Sequence, residues 1–181
     1  IGIVEELIRV RDKVYKHGIT SVDTRQAAIT RELRTRAVID CNKLAMSELS
    51  FSNFENCKQY LSRAISMLDG SDSAKSDPLR SLIHNNLACC YRRQGMLEYA
   101  LKHLNAAVKI GMSSPHVKNM SVTYMNMCAI YAETEDHIRA LECAQNAVFH
   151  CQEGIVEASA SGKEALLEKM YFLAIAFHNM A

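Results

Sequence analysis

The chain has 181 residues, of which 49% are hydrophobic, enough for one continuous core or a short row of repeats. Lys plus Arg number 21 against 20 Asp plus Glu, so the overall field calls for neither nucleic acid nor an anionic membrane as partner. Two prolines, seven glycines and no tryptophan, beside abundant Ala, Leu, Met, Glu, Lys and Arg, exclude a sheet protein and predict an all-α fold.

Residues 3–17 place Ile3, Leu7, Val10 and Val14 on one face, and Gly18 stops that helix. A second helix starts at Thr20 or Ser21 and meets no breaker until about Ser50. Ser52 or Asn53 caps the next, which carries Phe54, Cys57, Leu61, Ala64 and Leu68 inward and ends at Gly70. Residues 70–77 read as a loop, with Asp77 and Pro78 as cap and first position of a helix over 78–94. Gly95 breaks it and a partner helix covers about 97–111. Ser114 and Pro115 repeat the cap-then-proline start for a helix reaching about 133, whose partner spans about 136–152. Ser161 and Glu164 form a capping box that opens a last helical segment.

One pattern recurs along this row. Leu87, Ala88, Tyr91, Gly95, Ala100, Leu104 and Ala107 align with Met127, Cys128, Tyr131, Glu135, Ala140, Ala144 and Ala147, displaced by 40 residues. A fainter copy, Leu44, Ala45, Glu48, Ser52, Cys57, Leu61 and Ala64, stands 43 residues upstream of the first set. Periods of this size mark arrays of helical hairpins, in which each unit buries its apolar face against a neighbour. Asn179, Met180 and Ala181 echo Asn86, Leu87 and Ala88 and suggest a fourth, truncated copy, so the chain reads as part of a longer protein.

Counted from Ser81 and Ser121, these copies resemble tetratricopeptide repeats. That family places a large and then a small apolar residue at the seventh and eighth positions, Tyr at the eleventh, Gly near the fifteenth, and Ala at the twentieth and twenty-seventh. The match is close in 81–114, fair in 121–154 and weak in 38–71. The long helices and the run Asn85, Asn86, Leu87, Ala88 are similar to the arrays of kinesin light chains, and Phe177 to Met180 to repeat proteins of protist flagella. The resemblance implies an α-solenoid of antiparallel hairpins over 38–181, with a truncated repeat from about 163 and N-terminal helices over 1–37 packing on it. Small residues at Ala88 and Ala100 allow close helix approach, Tyr91 fills the wedge, and Gly95 supplies a positive φ.

In such arrays the first helix of each hairpin lines a concave groove. Carried across, this points to Ile39, Asn42, Met46, Leu49 and Ser50 in the first copy. In the second it points to Leu82, Asn85, Cys89, Arg92 and Arg93, with Asn86 adjoining, and in the third to Val122, Met125, Ala129, Ala132 and Glu133, with Asn126 adjoining. Amides suit a peptide backbone, soft Met and Cys surface suits its side chains, and arginine suits an acidic residue. Asn86 and Asn126 fit a structural role equally well. The expected partner is thus a peptide or helical segment of another protein. The family's carboxylate clamp is absent, because its places hold Asn42, Met46, Asn86, Val122 and Asn126 with no cation among them.

Seven cysteines without a C-x-x-C pair stand mostly where a helix wants a small apolar residue, the usage of a reducing, cytoplasmic compartment. Cys143, His150 and Cys151 match no zinc spacing, so no metal is expected, nor any cofactor. No nucleophile elbow, phosphate loop or H-E-x-x-H is present, and the expected role is non-enzymatic. The alternatives are an oligomerising element of a cytoskeletal or flagellar assembly, and a regulatory domain of a larger enzyme or motor.

Overall fold

The computed structural model describes residues 24–69, 73–118, 120–158 and Tyr171, which is helical and exposed. The helices are α1 (Thr24–Ser50), α2 (Phe54–Leu68), α3 (Ser73–Arg93), α4 (Leu97–Ser113), α5 (Met120–Glu133) and α6 (His137–Ala158), and no strand occurs among the described residues. The chain divides into two compact units, Ile1–Gly70 and Ser71–Ala181, at the junction between the first and second predicted repeats.

Consecutive helices pair as α1 with α2, α3 with α4 and α5 with α6. The three pairs turn by one device. In the first, Ser52 N–H donates to the Leu49 carbonyl (3.0 Å) and Asn53 N–H to the Glu48 carbonyl (2.9 Å). In the second, Gly95 N–H reaches Arg92 (2.9 Å) and Met96 N–H reaches Tyr91 (2.9 Å). In the third, Glu135 N–H reaches Ala132 (3.2 Å) and Asp136 N–H reaches Tyr131 (2.9 Å). Each is the Schellman pair, which satisfies the last helical carbonyls through one residue at positive φ. That residue is Ser52 (61°), Gly95 (74°) or Glu135 (60°), the same three that the sequence register superposes. The second helix then starts with Cys57 N–H on Asn53, Ala100 N–H on Met96 and Ala140 N–H on Asp136.

Burial follows that register. In the first unit Val38, Cys41, Ala45 and Leu49 of α1 and Cys57, Leu61, Ala64 and Leu68 of α2 are buried, at helical spacings of three and four. In the second unit Ala88, Ala100, Leu104, Met127, Cys128, Ala140, Ala144 and Ala147 belong to one core. Tyr91 lies over α4, stacked on His103 (5.3 Å, 7°) and Tyr99 (5.6 Å, 26°). This second unit stacks two hairpins, α5 packing against both α4 and α3. Gly111 of α4 gives room at that contact, since a Cβ there would meet the Met120 side chain.

Neither proline stands at a helix start. α3 begins at Ser73 and carries Pro78 inside it, so residues 73–77 are helix rather than loop. Pro115 does not open a helix. Val117 N–H closes a turn on the Ser114 carbonyl (3.2 Å), the Ser114 hydroxyl is buried without a partner, and α5 starts at Met120. A proline's fixed φ suits the second place of a turn as well as a helix start. Neither Ser52 nor Asn53 caps α2 through its side chain. Asn53 and Asn56 instead donate to the Glu48 carboxylate, at 3.0 and 3.1 Å. Helix α6 runs six residues past its expected end at 152. The predicted helix 3–17, the start of the following helix, Gly70 and, apart from Tyr171, the segment from Ser161 onward lie outside the described residues.

Candidate peptide-binding cleft

Helices α3 and α5 are the first helices of neighbouring hairpins, and between them opens a cleft of about 400 Å³. Cys89, Arg92 and Arg93 come from α3, spaced at three and four and so on one helix face. Asn126, Ile130 and Glu133 come from α5 in the same way, and Ala88 and Leu104 complete the lining. The cleft is therefore apolar along part of its wall, with a thiol, an amide and three charged groups around it.

The charged groups are partly spent on each other. Arg92 Nε donates to Glu133 Oε1 at 2.9 Å, and Nη2 bonds the same oxygen. With side chains 36% and 43% exposed, this ion pair is screened by water and contributes no more than about 1 kcal/mol. Beneath it lies a polar seam. Asn85 Nδ2 donates to Thr123 Oγ1 (2.6 Å), and Asn126 Nδ2 donates to Asn85 Oδ1 (3.0 Å), with Cys89 Sγ at 3.8 Å. The Oδ1 atom of Asn126 accepts no hydrogen bond among the described residues and remains available to a donor. Burial pushes the Cys89 thiol up, outweighing the opposite pull of Arg92, so it stays protonated and a poor nucleophile.

Of the residues that the sequence singles out, Cys89, Arg92, Arg93, Asn126 and Glu133 meet in this cleft. Asn85 does not present itself to a ligand. It is 3% exposed, and its amide is consumed between the helices. This corrects its reading as a groove residue: the neighbouring hairpin supplies Thr123, which takes the amide inward. Asn86 on α3 and Met125 and Ala129 on α5 are half-buried and do not line the cleft, Met125 packing against the core. Asn42 and Met46 are half-buried on α1, in the other unit. Ala88, Leu104 and Ile130 were missed as lining residues, since their apolar character marked them only for the core. One signal for the Arg92–Glu133 pair was present, because opposite charges stand 41 residues apart, close to the 40-residue displacement of these copies.

A second cluster lies between α3 and α4. His84 Nδ1 and His103 Nδ1 are 3.0 Å apart, so one ring donates and the other keeps an unprotonated Nδ1 to accept. Burial lowers the His84 pKa to about 4, with His103 and Arg80 adding to the effect, and burial also lowers that of His103, with help from Lys102. Among the described residues no three His, Cys, Asp or Glu side chains are grouped to hold a metal ion. None of the seven cysteines is in a disulfide, and all but Cys89 are buried. No helix among the described residues is long and apolar enough to cross a membrane. No family model, curated protein or solved structure matches the chain.

Proposed function

We propose that this chain is an array of tetratricopeptide-like hairpins, an α-solenoid, that binds a segment of another protein in the cleft between α3 and α5 without catalysing a reaction. The observation that carries this reading is the convergence of Cys89, Arg92, Arg93 and Asn126 on one cleft between two first helices. An apolar wall with a few placed polar groups is the usual make-up of a recognition site. The test is direct binding of a positional-scanning library of short peptides, read by fluorescence anisotropy. Arg92→Glu is expected to weaken binding about tenfold or more, and Lys102→Glu, on exposed α4 surface, to leave it unchanged. The opposite ranking contradicts the cleft.

One observation favours a second reading, an assembly element. Helix α6 exposes Ile138 (76%), Leu141 (47%) and Phe149 (55%) within one arc of its surface. Sedimentation of the parent against Ile138→Asp with Phe149→Asp tests it: a self-associating parent and a monomeric variant support assembly, and a monomeric parent refutes self-assembly.

A further inference from the structure

The cleft already holds a carboxylate, and it is the chain's own. Glu133, from α5, reaches across to Arg92 of α3 and occupies the guanidinium that faces the cavity. The pair is half-exposed at the rim, so exchange of one carboxylate for another costs little desolvation. Beside it, Asn126 is oriented by Asn85, which fixes Nδ2 inward and leaves Oδ1 to accept an N–H. Ile130 and Ala88 provide apolar wall next to both polar groups. A carboxylate binder, a free acceptor and an apolar wall within one cavity match an extended segment that offers an acidic side chain, a backbone N–H and a neighbouring apolar side chain.

We propose that the cleft takes an acidic peptide segment whose Asp or Glu displaces Glu133 from Arg92, so that Glu133 is a built-in competitor that sets the affinity of the site. This rests on the reading of the cleft as a peptide site. Because the intrachain contact needs no loss of translational freedom, Glu133 competes at every ligand concentration, and binding is weaker than the same cleft would give without it. Arg92 therefore has two exclusive partners. Asn85 is a positioning residue, which acts through the Asn126 amide.

The experiment uses the whole chain and peptide pools in which one position is fixed as Asp, Glu, Asn, Gln, Lys or Arg and the others are randomised. Parent, Glu133→Gln, Arg92→Gln and, as a control for net charge, Glu98→Gln on exposed α4 surface are compared, each checked by thermal unfolding. The parent is expected to prefer the Asp and Glu pools. Glu133→Gln should bind those pools about fivefold more tightly, the ratio equivalent to an exposed ion pair of roughly 1 kcal/mol. Glu98→Gln should bind as the parent does, and Arg92→Gln should lose the acidic preference. If peptides bind but Glu133→Gln gives no gain on acidic pools, or Glu98→Gln gives the same gain, the built-in competitor is refuted and the peptide cleft stands. If no pool binds to the parent or to Glu133→Gln, both readings fall.

Discussion

Asn85 shows what helical periodicity does and does not determine. Its spacing to Cys89 and Arg92 put all three in a row on one helix, and two of the three do line the cleft. The angle around a helix says nothing of the distance to the next one, and here α5 brings Thr123 against Asn85 and closes it off from solvent. Its substitution therefore acts on folding. Asn85→Ala removes the buried amide that donates to Thr123 Oγ1 and accepts from Asn126 Nδ2, and should cost about 1–3 kcal/mol in urea denaturation. A midpoint equal to that of the parent contradicts the seam. The histidine pair gives a pH dependence of known sign. An unfolded His84 takes up its proton near 6.5, whereas the folded one resists until about 4. Between those values the unfolded chain binds more protons, so stability is full above about 6.5 and declines as pH falls towards 4. The melting temperature of His84→Gln should decline less than that of the parent over this window, and parallel curves contradict the assignment.

At the scale of elements, the turns were the most legible part of the chain and the helix starts the least. Ser52, Gly95 and Glu135 share a register in the sequence, and each takes the one positive-φ place of its hairpin. The reason is local: a Schellman turn needs five or six residues, and its signature lies within them. Pro78 and Pro115 were ambiguous because the φ that proline fixes is shared by helix and turn, which differ in hydrogen bonds made elsewhere. The shared turn geometry makes a paired prediction. A Cβ at Gly95 meets nothing within 4 Å, so the cost of Gly95→Ala is conformational, about 1 kcal/mol. Glu135→Gly relieves a positive φ of 60° and should stabilise by roughly 0.5–1 kcal/mol. Equal and same-signed effects on the denaturation midpoint would falsify the common turn.

Across the whole molecule, the repeated pattern of small and large residues specifies hairpins, and the second unit shows two of them stacked through α3, α4 and α5. The cleft exists because of that stacking: neither α3 nor α5 alone carries enough of its wall. That is why the sequence pointed to the right helices and to five lining residues, yet left out Ala88, Leu104 and Ile130, whose place depends on the neighbouring hairpin. Cys89 offers a probe of the cleft, being the half-buried cysteine while the other six are buried. The most direct measurement of the binding claim is the rate of N-ethylmaleimide modification at each cysteine, read by peptide mass spectrometry with and without a peptide selected for binding. The account predicts that Cys89 reacts first in the free protein, and that saturating peptide slows it several-fold while the buried cysteines are unaffected. An unchanged Cys89 rate in the presence of bound peptide would place the binding surface elsewhere on the molecule and contradict the account.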